Sequence, residues 1–157
     1  MKNIFSKVLM ALAAIVMTGA ITGCHEADPE FMHTDNLISK LTARPDVGKN
    51  SKSYDFVITE YDANGKVVTD SLTAEKVYGG YGEAVVTVPI TDWESIDLTN
   101  VYLQAELTYD AVIINGGLVG PHDIQNLDAE GKPQGITIYV KAGNGNIRPY
   151  KVVGIYK

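Results

Sequence analysis

The strictest pattern in this chain runs from Val101 to Tyr109. Val101, Leu103, Ala105 and Leu107 fall on one parity, and Tyr102, Gln104, Glu106 and Thr108 on the other. A period of two marks a strand with one face buried and one in water. Residues 136–142 repeat it, with Ile136, Ile138, Val140 and Ala142 on the inward parity. Residues 84–90 form a third, valine-rich run, ended by Pro89, which has no N–H to give to a sheet ladder. Residues 37–43, 54–61, 66–72 and 150–156 carry weaker versions of the same signal.

Turn residues separate these runs. Asn64-Gly65 lies between two β-branched segments and predicts a hairpin. Ala142-Gly143-Asn144-Gly145-Asn146 separates the last two strands, and Gly116-Gly117 and Gly120-Pro121 punctuate the middle. No stretch has the 3.6-residue period of a useful amphipathic helix; residues 92–96 allow one turn at most. Many short strands joined by Gly-rich turns predict an all-β fold in which two sheets pack their apolar faces together.

The order of short motifs adds a resemblance. Val86-Thr87-Val88-Pro89 is followed by Ile96-Asp97-Leu98-Thr99-Asn100 and the strand at 101–107. Gly120-Pro121-His122-Asp123-Ile124, the strand at 136–142, the Gly-Asn-Gly-Asn turn and Arg148-Pro149-Tyr150-Lys151-Val152 come after. This order is similar to the immunoglobulin-like domains of uncharacterised function found in surface lipoproteins of gut-type Gram-negative bacteria. It covers residues 84–157 and implies an immunoglobulin-like antiparallel β-sandwich. Residues 44–83 depart from it, and Tyr78-Gly79-Gly80-Tyr81-Gly82 stands as a loop-like elaboration.

Ahead of the body, Lys2 and Lys7 precede an uncharged, apolar stretch at 8–21 that is too short to cross a bilayer and ends in small residues. Ile21-Thr22-Gly23-Cys24 resembles the lipobox of bacterial lipoproteins. The resemblance implies that residues 1–23 are a cleaved signal peptide and that Cys24 is the lipid attachment point. With two or more acyl chains such an anchor is stable. Residues 24–35, polar, acidic and broken by Pro29, read as a flexible tether with a reach of about 15–20 Å. Acidic residues directly after the cysteine resemble a surface-export tether, which implies an outer-membrane location facing outward. Residues 36–157 form the single folded domain.

Composition narrows what that domain does. Loss of residues 1–23 leaves 134 of 157 residues, enough for a real core, and removes two lysines, so the formal charge of −6 becomes −8. An acidic body disfavours nucleic acid as a partner. Cys24 is the sole cysteine, which excludes a disulfide or a cysteine-based zinc site. No serine sits in a nucleophile elbow, and no phosphate-binding loop is present. His122, at a Pro-His-Asp corner, is read as hydrogen-bonding backbone rather than as a catalytic base. Asp62-Ala63-Asn64-Gly65 imitates the start of a calcium loop but lacks the closing ligands, and Asp92, Glu94 and Asp97 are the remaining carboxylates for a surface calcium. No enzyme, cofactor or metal site is expected.

The remaining chemistry is aromatic. Nine tyrosines and one tryptophan supply flat rings with a polar handle, suited to sugars and to protein partners. Trp93, Tyr81 and Tyr78 lie in loop-like stretches, and Tyr102 and Tyr139 project from the polar parity of the two clearest strands. Together they are the candidate ligand platform. The expectation is a membrane-anchored, non-catalytic surface binding module for glycans, with a structural or adhesive protein-interaction component as the alternative and a hydrolase behind both.

Overall fold

The alternating runs become strands in the computed structural model, which describes residues 33–48, 51–69, 79–115 and 118–157. The leader, Cys24, the tether as far as residue 32, Tyr78 and Gly116-Gly117 lie outside the described residues. In chain order the strands are β1 (Ile38–Arg44), β2 (Tyr54–Asp55), β3 (Val57–Tyr61), β4 (Val67–Val68), β5 (Tyr81–Val88), β6 (Val101–Leu107), β7 (Val112–Ile114), β8 (Pro121–His122), β9 (Ile136–Lys141) and β10 (Ile147–Tyr156). Among the described residues a 3-10 turn, Ile90–Asp92, follows β5.

The strands form a four-stranded sheet in the order β2-β1-β6-β8 and a six-stranded sheet in the order β4-β3-β5-β10-β9-β7. The two-layer, all-β body read from the sequence is therefore present. Its core is made by the inward parities: Leu41 and Ala43 of β1, Val101 and Leu103 of β6, Ala84, Val86 and Val88 of β5, Ile138 and Val140 of β9, and Tyr150 and Val152 of β10. Ala105, Leu107 and Ile136, predicted inward, pack against this core while partly buried.

One pairing departs from the antiparallel expectation. β10 runs antiparallel to β9 but parallel to β5, with Lys151 beside Glu83 and Val153 beside Val85. The local hairpin uses one edge of β10, and its other edge is filled by a strand more than sixty residues earlier, which no turn signal can announce. The segment at 79–82 is also not an appendage, because Tyr81 opens β5.

Three tight turns share one hydrogen-bond scheme. At Asp62–Lys66, Asp128–Lys132 and Ala142–Asn146 the first residue's N–H donates to the fifth carbonyl, and the fourth residue's N–H returns to the first carbonyl. Each fourth residue is a glycine at positive φ: Gly65, Gly131 and Gly145. These are type I turns closed by a glycine bulge, one residue longer than the two-residue loop that Asn64-Gly65 alone suggests. The compact unit that holds both sheets begins at His33, inside the predicted tether. His33 stacks on Tyr109 with centroids 4.3 Å apart, and Asp35 and Asn36 are already buried.

Candidate functional site

The chemistry of the six-stranded sheet begins with two glycines. An added Cβ at Gly82 would lie 2.2 Å from the Tyr150 ring, and one at Gly80 would lie 2.7 Å from Nη1 of Arg148. No larger residue fits beneath those side chains. Arg148, 1 % exposed, and Tyr150, fully buried, therefore sit between the sheets on the same parity of β10 as Val152 and Gly154.

Their partner is Glu60 of β3. Arg148 donates from Nη1 to Glu60 Oε2 at 3.2 Å and from Nε to Asn36 Oδ1 at 3.0 Å. Tyr150 donates its hydroxyl proton to Glu60 Oε1 at 2.5 Å and accepts from the Ile38 N–H at 3.2 Å. Burial pushes the Glu60 carboxyl above its usual range, against the lowering effect of Tyr150 and Arg148. Burial and the Glu60 charge push Tyr150 far up, so its phenol stays protonated and remains a donor. The group ties β3 and β10 to the residues that lead into β1. Glu60 also borders a hollow of about 700 Å³ between the sheets, whose apolar walls include Leu37, Ile58 and Val68.

Directly above this polar cluster, the outer surface of the same strands is apolar. Register places Val67 beside Tyr61, Tyr61 beside Tyr81, Pro149 beside Tyr139 and Tyr139 beside Ile114. The β5–β10 register, continued by one residue, sets Pro149 next to Tyr81. Six strands thus contribute one row, Val67-Tyr61-Tyr81-Pro149-Tyr139-Ile114. The next row is polar, Thr59-Glu83-Lys151-Thr137, and the third is Val57-Val85-Val153. The Tyr61 and Tyr81 rings stack on each other at 4.8 Å with 13° between planes, a separation equal to the strand spacing. They stand upright on the sheet and occupy each other's inner faces. Tyr61 donates to Glu83 Oε2 at 3.2 Å, while Glu83 and Lys151, side by side, form no ion pair among the described residues.

This face gathers part of the predicted platform. Tyr81 and Tyr139 share the row, and Tyr61, which sequence reading passed over, joins them; its signal was the alternation of Val57, Thr59 and Tyr61 through a two-sided strand. Trp93 does not join. It follows the far end of β5, roughly 23 Å of strand from Tyr81 at about 3.3 Å per residue, and stands 60 % exposed next to exposed Ile90. Tyr102 lies on the four-stranded sheet beside Arg44 and Pro121. Cys24 and Tyr78 fall outside the described residues.

The other candidates are accounted for locally. Asp62 Oδ1 accepts the N–H groups of Asn64 and Lys66, the work of a turn residue. Asp92 accepts from Lys52 at 2.6 Å and Tyr54 at 3.0 Å, which hold its carboxyl below the usual range, and Asp97 accepts from Thr99. Among the described residues no three His, Cys, Asp or Glu side chains are placed to hold one metal ion. His122, expected to bond backbone, has a buried Nε2 with no hydrogen-bond partner among the described residues; it stands in β8 beside the fully buried Val101.

No protein-family model and no curated protein matches this chain. Among solved structures it is similar to a "putative secreted protein" from Bacteroides fragilis, at 16 % identity and a TM-score of 0.42, over 77 % of this chain and 96 % of that one.

Proposed function

We propose that this chain is an exported, lipid-anchored, non-catalytic interaction module that presents the outer face of its six-stranded sheet to a protein. The observation that carries the reading is the apolar row on that face. A sheet with one face in a core ordinarily turns polar residues to water. Here Val57 is 73 % exposed, and Val112 and Ile147 about half exposed, around a strip of tyrosine and proline. An apolar patch of this extent with a polar row inside it suits a partner surface. The mutual stacking of Tyr61 and Tyr81 favours a protein over a sugar, since a pyranose ring needs an open aromatic face.

Placement at the cell envelope rests on the leader and on the resemblance of Ile21-Thr22-Gly23-Cys24 to a lipobox. The acidic tether supports the outward face of the outer membrane. Mass spectrometry of the natural protein tests the anchor: the N-terminal peptide is expected to begin at an acylated Cys24. A photoreactive amino acid at Tyr139, compared with one at Gln104 on the other sheet, tests the binding face in intact cells. Protein crosslinks from Tyr139 and none from Gln104 are expected; no crosslink from either overturns the reading.

Glycan capture is the second reading, and one observation favours it. The Trp93 ring is open to water at a tip of the body. A glycan array probed with the wild type and with Trp93→Ala decides it, because binding that survives the change removes the sole exposed indole as its platform.

A further inference from the structure

We infer that the protein held by this face is a second copy of the chain, joined face to face about a two-fold axis that runs parallel to the strands between β5 and β10. The inference rests on the proposed use of the outer face and names its occupant.

The six strands are ordered β4-β3-β5-β10-β9-β7, so an axis between β5 and β10 divides them three and three. Rotation about it lays β5 on the partner copy's β10, β3 on its β9 and β4 on its β7. Because the axis follows the strands, each row meets itself. In the tyrosine row, Tyr61 meets Tyr139, Tyr81 meets Pro149 and Val67 meets Ile114. In the third row Val85 meets Val153. In the polar row Glu83 meets Lys151, twice by symmetry, and Thr59 meets Thr137. Apolar groups cover apolar groups, and the two charges left without an ion pair in one copy find opposite charges in the other.

The charges also select this axis. A two-fold across the strands, centred on the polar row, would set Glu83 on Glu83 and Lys151 on Lys151, and like charges at an interface are costly. Aligned sheets cross at about −30°, which shifts contacts at the corners most and those beside the axis least, where Glu83 and Lys151 lie. The strands of this sheet are 2, 5, 8, 10, 6 and 3 residues long in sheet order. At about 4.8 Å by 3.3 Å per residue they cover roughly 540 Å² of flat sheet before side-chain relief is added, against the ~800 Å² per partner of a standard interface. Isologous contact of one patch with itself is the commonest way for a chain to form an oligomer.

Sedimentation equilibrium on the leaderless chain from residue 24, carrying Cys24→Ser so that no lipid drives association, tests the pairing; it contains the whole unit His33–Lys157. The expected mass is twice that of the monomer. Glu83→Lys and Lys151→Glu should each weaken the dimer at least tenfold, as like charges then face each other. The exchanged pair Glu83→Lys with Lys151→Glu should return it to within about threefold of the wild type. The three variants change only half-buried Glu83 and exposed Lys151, both on the outer parity of the sheet, and circular dichroism is expected to match the wild type. A monomer at every concentration overturns the inference, and so does a dimer indifferent to the exchange. The Tyr139 photocrosslink separates this failure from that of the broader reading. A product of two identical chains supports the dimer, a product with a different protein overturns the dimer and leaves the interaction module standing, and no product overturns both.

Discussion

The two sheets share one core and turn opposite surfaces to water. On the four-stranded sheet, Lys40 lies beside Glu106, Thr42 between Asp55 and Gln104, and Arg44 beside Tyr102. Lys40 also reaches Asp55 at 3.8 Å. Its inner parity is Leu41, Ala43, Val101 and Leu103. On the six-stranded sheet the polarity is reversed at one end: Glu60, Arg148 and Tyr150 point inward, and Tyr61, Tyr81, Pro149 and Tyr139 point outward. The same two-residue period produces both sheets. On the first sheet the outward parity is polar, although Thr42 is itself only 8 % exposed; on the second it carries an apolar row, the feature on which the proposed interaction face rests.

The comparison breaks hardest from inside. Arg148→Met keeps the apolar stem and leaves Glu60 buried without its guanidinium, and removing one partner of a buried pair costs about 3–5 kcal/mol. Urea denaturation should show that loss. Gly82→Ala forces a methyl group into the Tyr150 ring and should cost about 1–3 kcal/mol as overpacking, measured the same way. No substitution on the outer surface of the four-stranded sheet should approach either value.

A smaller effect follows from Glu60 itself. Its folded pKa is raised above the 4.5 of an unperturbed glutamate, so the folded chain holds that proton more tightly than the unfolded chain. The stability contributed by protonated Glu60 is complete below pH 4.5 and is lost as pH rises through the folded pKa. Glu60→Gln carries the same shape without the proton. Subtracting its stability-versus-pH curve from that of the wild type should leave a slope that falls upward from pH 4.5. A flat difference would mean that burial does not govern this carboxyl.

The smallest stability effects sharpen the contrast between the outer faces. Tyr139→Asp and Gln104→Lys should each change folding stability by only about 0.5 kcal/mol. Tyr139→Asp should abolish self-association in the ultracentrifuge, and Gln104→Lys should leave it unchanged.

Much of the layer structure was legible in the sequence because local alternation encodes it. β6 and β9 lie within the predicted runs at 101–109 and 136–142, and their inward parities are those read from the pattern. β7 was missed because its three residues are too few to show a period. The parallel β5–β10 pairing was missed because it joins distant strands, and with it the row that crosses them. Tyr81 and Tyr139 were picked as isolated aromatics; only register shows that they are neighbours through Pro149, and that Trp93 and Tyr102 are elsewhere. The ion cluster left one trace. Arg148 and Glu60 stand on the apolar parity of their strands, beside Val152 and Ile58, where a charge has to find a partner or stay unburied.

The claim that the six-stranded sheet is covered in the native envelope has a direct readout, since Cys24 is the chain's sole cysteine. Thr137→Cys places a thiol on that outer face and Gln104→Cys places one on the other sheet, both at exposed positions of the single chain. In intact cells maleimide should modify the Thr137→Cys variant at least tenfold more slowly than the Gln104→Cys variant, with the rates converging once urea unfolds the protein. Equal rates in the native envelope would contradict the account.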